Sequence, residues 1–90
     1  MGIAIVLVKI MPESPTSDLA QIKREAEKKL IHEGAKNLAV EEKPFAFGLK
    51  ALFFKFAWPE EKGTEIIEEM LSKVNEVSSV TIEDFRRAFG

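Results

Sequence analysis

Cysteine is absent from this 90-residue chain, which excludes a disulfide framework, a thiolate metal site and a cysteine nucleophile. Histidine occurs once, at His32, near the end of a predicted helix. A lone histidine there is typical of a surface residue that complements the helix dipole. No histidine pair or carboxylate triplet has metal-ligand spacing, so neither a metal nor a cofactor is expected. The sequence therefore does not indicate an enzyme.

Glycine is scattered, and long apolar runs are missing. The five glycines stand singly, so no glycine-rich phosphate cradle is present. No apolar run approaches the roughly 20 residues that a bilayer span requires. The first residues lack a basic signal-peptide region, and Val6 stands where a myristoylation motif requires serine or threonine. We therefore expect a cytoplasmic protein without a membrane partner.

The charge balance limits the partners that can be expected. A net charge of −2 argues against extensive binding to phosphate backbones, so direct nucleic-acid binding is not expected. The adjacent glutamate pairs, such as Glu60-Glu61, are interpreted as solvated charge, because neighbours on a strand or helix point apart. Arg86 and Arg87 form a local basic pair near the C-terminus. The length and the 46% apolar content predict one small globular domain over residues 1–90.

Apolar periodicity predicts four strands. Residues 3–11 form a β-branched run that is closed by Pro12 and typical of a central strand. A half-exposed strand is predicted around Leu38 and Val40. Residues 49–58 form the most apolar strand, with its even positions buried and its odd positions mixed. A last, short strand is predicted around residues 80–82.

Two helices are predicted between these strands. Leu19, Ile22, Ala26 and Leu30 recur at helical spacing in the first. Asp18 or Ser17 is its N-cap, and Gly34 is its terminator. The second helix carries an apolar stripe from Ile66 to Val74. The order βαββαβ predicts an α+β, ferredoxin-like sandwich, in which two helices cover one face of a four-stranded antiparallel sheet.

Two features remain without a structural explanation at this point. Phe45 and Phe47 stand beside a proline and a glycine in a predicted turn, where small polar residues are favoured. They either fold back onto the core or face a partner. Phe85 and Phe89 flank the two arginines after the last predicted strand. A frayed terminus is the favoured interpretation there on physical grounds alone, although aromatic and arginine side chains are also common at interfaces.

Both features resemble one protein family. Residues 44–52, Pro-Phe-Ala-Phe-Gly-Leu-Lys-Ala-Leu, are similar to the Pro-x-x-aromatic-Gly-Ile/Leu-Lys-x-Leu segment of translation elongation factor 1-beta. Residues 77–87, Val-Ser-Ser-Val-Thr-Ile-Glu-Asp-Phe-Arg-Arg, are similar to that family's Val-Gln-Ser-Val-Asp-Ile-x-x-Phe-x-Lys ending. Residues 10–15, Ile-Met-Pro-Glu-Ser-Pro, resemble the short archaeal members in particular. The resemblance extends over essentially the whole chain.

The resemblance implies guanine nucleotide exchange on elongation factor 1-alpha, the GTPase that delivers aminoacyl-tRNA. In the eukaryotic members of the family, a lysine next to the C-terminus reaches the magnesium site of the GTPase. Arg87 matches that lysine, with three residues after it instead of one, and is expected to carry the exchange role. The resemblance also implies partner binding by Phe47, Gly48, Phe85 and Arg86. We further expect Phe45 to lean toward the core, Phe47 to face the GTPase, and the protein to be a monomer.

Two alternatives from other classes remain open. An RNA-recognition module shares the βαββαβ order, and the aromatic residues between 45 and 56 are faintly similar to a base-stacking strand. The low basic content and the absence of its signature motif argue against it. A ferredoxin-like regulatory domain would dimerise through its sheet edges and bind a small molecule.

Overall fold

Four strands and two helices follow one another in the order predicted from the sequence. The computed structural model describes residues 2–89. Its elements are β1 (Ile3–Pro12), α1 (Leu19–His32), β2 (Lys36–Pro44), β3 (Lys50–Pro59), α2 (Glu65–Ser72) and β4 (Val77–Phe89). The ferredoxin-like α+β prediction is confirmed. No helix in this part of the chain is long and apolar enough to cross a membrane.

The strands form a single antiparallel sheet in the order β2-β3-β1-β4. β1 is central, as predicted, because it pairs with β3 on one side and β4 on the other. The register places Val6 beside both Phe56 and Phe85. β2 and β4 are the edge strands of the sheet.

One face of the sheet forms the core, and the two helices pack on it. Alternate residues of the central strands are buried: Ala4, Val6, Val8 and Ile10 in β1, and Leu52, Phe54, Phe56 and Trp58 in β3. The helices contribute Ile22, Ala26 and Leu30 from α1, and Ile67 and Leu71 from α2. Trp58 has no exposed surface, and its indole N–H donates to the Gly63 carbonyl at 2.8 Å. This bond satisfies the polar atom of a buried tryptophan.

Local hydrogen bonds define both ends of α1. The Asp18 carboxylate accepts from the Gln21 amide at 3.1 Å and is therefore the N-cap. Ser17 instead accepts from the Ser14 amide within the preceding turn. At the other end Gly34 has φ +110°, a conformation that favours glycine. The amide of Ala35 donates to the Leu30 carbonyl, which closes the last turn of the helix. The predicted helix terminator is confirmed.

β4 is much longer than the short strand predicted around residues 80–82. It runs for 13 residues and pairs with β1 up to Ile3. The register shifts between Leu7 and Val8 and again between Ile3 and Ala4, so β4 contains bulges. Each bulge adds one residue and breaks the period-2 alternation from which strands are predicted. The prediction of a segment beyond the last strand, and of a frayed end there, was therefore wrong.

Candidate partner-binding site

The aromatic turn, residues 45–49, joins β2 to β3. The Phe45 amide donates to the Leu49 carbonyl at 2.7 Å, and the Leu49 amide donates to the Ala46 carbonyl at 3.2 Å. Between these bonds Phe47 and Gly48 both have positive φ, of 62° and 76°. For a phenylalanine this left-handed conformation costs about 1–2 kcal/mol. The turn therefore holds Phe47 at its tip against the residue's own backbone preference.

Phe47 lies almost entirely in solvent. Its exposed fraction is 92%, the highest among the exposed large apolar side chains of residues 2–89. Such a side chain gains almost no burial on folding, so the fold alone does not explain a bulky apolar residue at this position. Gly48 lies next to the loop between β1 and α1, since a Cβ atom on it would be 3.9 Å from Pro15. Phe47 therefore points away from the core, and its contact with the GTPase stays a prediction.

Phe45 does not lean toward the core, and that prediction was wrong. Its side chain is 48% exposed, and the Lys9 ammonium lies 5.1 Å from its ring centroid. Alternation explains the position, because β2 places Glu41 and Lys43 on the sheet face away from the helices and Phe45 follows them in extended backbone. On the same face Lys43 lies 4.9 Å from the ring centroid of Phe53. A base-stacking platform requires free ring faces, whereas a lysine lies over each of these rings.

The C-terminal cluster, residues 85–87, lies within β4 rather than after it. Phe85, Arg86 and Arg87 pair with Val6, Ile5 and Ala4 of β1. Alternation places Arg86 on the open sheet face, and Phe85 with Arg87 on the other. Phe85 is 42% exposed. The side chain of Phe89 and all of Gly90 lie outside the described residues.

Both arginines of this cluster form exposed ion pairs. The Arg86 Nε–H donates to the Asp84 carboxylate and the Arg87 Nε–H to the Glu60 carboxylate, each at 2.9 Å. The arginine side chains remain 80% and 68% exposed. Ion pairs this exposed contribute about 0–1 kcal/mol to stability. Each guanidinium group therefore has a carboxylate partner and is still accessible to a partner protein.

The structure does not bring the predicted site residues into one patch. Arg87 pairs with Ala4, which pairs with Trp58 near the end of β3. Phe47 and Gly48 precede Lys50, at the start of the same strand. Eight residues of strand at about 3.3 Å each separate these two levels by about 26 Å. Phe47 and Arg87 thus lie near opposite ends of a molecule whose longest dimension is 41 Å.

No sequence pattern predicted Glu60 as the partner of Arg87. Glu60 opens a short 3-10 turn directly after β3, and 27 residues separate it from Arg87. No local pattern connects the two, since their proximity follows from the pairing of β3 and β4 with β1. Among residues 2–89, no group of three or more histidine or carboxylate side chains could hold a metal ion.

Comparison with known proteins identifies the class and then the family. The model of the EF-1 guanine nucleotide exchange domain matches residues 5–88, almost the whole chain. Elongation factor 1-beta of Methanothermobacter thermautotrophicus is 41% identical over 88 residues, which cover 97% of this chain and 98% of the relative. Elongation factor 1-beta of Methanobrevibacter smithii is 43% identical over 88 residues, which again cover 97% of this chain and 98% of the relative. The chain belongs to the elongation factor 1-beta family, and its archaeal resemblance is confirmed.

Proposed function

We propose that this protein is the guanine nucleotide exchange factor of an elongation factor 1-alpha, and that it accelerates GDP release from this GTPase. The family supports the reaction class. The observation that carries the proposal for this chain is the 92% exposure of Phe47 on a left-handed backbone. The protein forms no covalent intermediate in this proposal and acts as a cytoplasmic monomer.

Phe47 supplies affinity in this proposal. A fully exposed phenylalanine that enters an apolar pocket of the GTPase gains about 1.5–3 kcal/mol from burial. The flanking hydrogen bonds and Gly48 hold the turn in one conformation, which lowers the entropy that binding costs. Phe47 is therefore expected to be a binding hot spot, as aromatic residues at the centre of interfaces often are.

The C-terminal cluster acts on the nucleotide. Magnesium and the P-loop of a GTPase together hold the β-phosphate of its nucleotide. The Arg87 guanidinium carries a permanent positive charge and is 68% exposed at the end of the molecule opposite Phe47. Brought near the magnesium site, this charge opposes the metal ion and weakens nucleotide binding. Phe85 and Arg86 precede it in β4 and provide further contacts with the partner.

Exchange then follows from differential affinity. The exchange factor binds the nucleotide-free GTPase more tightly than the GDP-bound form, and it shifts the population toward release. By reciprocity, GTP that binds the empty GTPase weakens its affinity for the exchange factor by the same factor and displaces it.

Release of fluorescent GDP from elongation factor 1-alpha tests this proposal. The parent protein should accelerate release, and Phe47→Ala should raise the KM for the GTPase about 30-fold, which corresponds to ~2 kcal/mol of lost hot-spot contact. Arg87→Ala should lower the maximal rate about 10- to 100-fold, the value of a charged hydrogen bond. Arg87→Lys should retain exchange, because the charge is kept.

Two variants serve as matched controls. Ile31→Ala removes another exposed apolar side chain, and Arg24→Ala removes another exposed arginine, both on α1. Both should exchange as the parent does. Unchanged GDP release in the presence of the parent protein would refute the proposed function.

A further inference from the structure

Glu60 is held in place by its neighbours before it meets Arg87. Its amide donates to the Gly2 carbonyl at 3.1 Å, which ties the 3-10 turn to the start of β1. Its side chain folds back over Gly2, where a Cβ atom would lie 2.6 and 2.7 Å from the two carboxylate oxygens. Only 24% of the Glu60 side chain is exposed. The carboxylate thus occupies space that exists because residue 2 has no side chain.

The contact with Arg87 uses one side of the guanidinium. An arginine has five N–H donors in a rigid fork. Among residues 2–89, the Glu60 carboxylate engages the donor on Nε, at 2.9 Å. Within residues 2–89, no hydrogen bond engages the four donors on the two terminal nitrogens, which can therefore bind a partner. The pair therefore restricts the rotamers of a long, flexible side chain without occupying the end that carries most of its donors.

We propose that Glu60 is a positioning residue, which holds the Arg87 guanidinium in the orientation that nucleotide exchange requires. This inference rests on the proposed function. Ordering an arginine before binding removes an entropy cost that would otherwise be incurred when the complex forms. Because the pair is exposed, Arg87 retains enough freedom to adjust to the GTPase. The opposite role, in which Glu60 sequesters Arg87 and inhibits exchange, predicts a faster Glu60→Ala variant.

Three variants separate the charge of Glu60 from its position. Glu60→Ala removes the carboxylate, and Gly2→Ala displaces it while the charge is kept. Glu60→Gln keeps an acceptor oxygen at the same length and should rescue the contact. Glu61→Ala is the matched control, since it removes the same charge from the same 3-10 turn without removing a contact to Arg87.

Glu60→Ala and Gly2→Ala should both lower the maximal rate of GDP release about 3- to 10-fold, the range expected for ordering one long side chain. The KM for the GTPase should stay within about twofold, because the Arg87 interaction forms during release rather than during encounter. Glu60→Gln and Glu61→Ala should exchange within about twofold of the parent. Unfolding temperatures identify any variant with a folding defect. If Gly2→Ala has a folding defect, the positioning role of Glu60 is tested by comparing the GDP release rates of Glu60→Ala and Glu60→Gln.

NMR of the Arg87 Nε–H group in the free protein provides a readout that does not depend on the GTPase. Solvent exchange of this proton should be slow in the parent and faster in Glu60→Ala and Gly2→Ala. The positioning role is refuted if Nε–H exchange is faster in both variants than in the parent, but both variants release GDP as fast as the parent or faster. The proposed function stands in that case. If the parent itself fails to accelerate release, the proposed function is refuted, and the role of Glu60 in exchange is refuted with it.

Discussion

At the scale of single residues, Phe47 and Phe54 show how differently this fold uses one residue type. Phe54 has no exposed surface and lies in the core between the sheet and the helices, whereas Phe47 is 92% exposed. The backbone differs as well, since Phe54 is in a strand and Phe47 is left-handed. The two side chains should therefore contribute to different free energies, Phe54 to folding and Phe47 to binding.

Alanine substitutions at these two positions test this difference. Phe54→Ala should lower the free energy of unfolding by about 3–5 kcal/mol, because it leaves a cavity in the core. Phe47→Ala should change it by less than about 0.5 kcal/mol, as surface substitutions usually do. Urea denaturation of both variants measures the difference. A large loss in Phe47→Ala would show that the turn contributes to folding.

At the scale of secondary-structure elements, β4 determines whether the C-terminal cluster is ordered. Its pairing with β1 extends to Ile3, and its bulges keep the strand paired although its sequence does not alternate regularly. Arg86 and Arg87 therefore extend from a sheet rather than from a free chain end. A strand positions a functional side chain more accurately than a loop does.

Hydrogen exchange measures this order directly. β4 is an edge strand, so about half of its amides face β1 and should exchange slowly, with protection continuing to the level of Arg87. The amides that face solvent should exchange fast. β2, the other edge strand, should show the same alternation and serves as the internal comparison. Fast exchange at every amide of residues 84–88 would contradict the extended strand.

At the scale of the whole molecule, the sheet separates the two proposed contact regions. The level of Lys50, which follows the aromatic turn, and the level of Arg87 lie about 26 Å apart along the strand direction, at about 3.3 Å per residue. A partner that contacts both must extend along the length of this protein. The separation agrees with the proposal that Phe47 contributes to affinity for the GTPase, whereas Arg87 at the other end acts on the nucleotide.

This separation predicts additive energetics. In binding to nucleotide-free elongation factor 1-alpha, the free-energy losses of Phe47→Ala and Arg87→Ala should sum to that of the double variant within about 0.5 kcal/mol. Calorimetric titration of the parent, both single variants and the double variant measures the coupling. A coupling energy above about 1 kcal/mol would mean that the two contacts form as one unit.

Much of this architecture follows from local patterns in the sequence. The alternation of Leu52, Phe54, Phe56 and Trp58 defines the buried face of β3, and the helical spacing of Ile22, Ala26 and Leu30 defines that of α1. Such patterns predict the fold because burial must match the period of each element. Periodicity did not predict the length of β4, because bulges break its alternation. It also did not predict the direction of the Phe45 side chain, which continues the alternation of β2 beyond the last paired residue, Pro44.

Residue type and local spacing define the order of elements, the core, and the aromatic and arginine residues that suit a partner, so these features can be predicted from the sequence alone. The tertiary structure decided where those residues lie. It placed Phe47 and Arg87 at opposite ends, paired the C-terminal cluster with β1 as part of β4, and brought Glu60 to both Arg87 and Gly2. These relations arise from strand pairing between residues far apart in the chain, and no local pattern encodes such pairing.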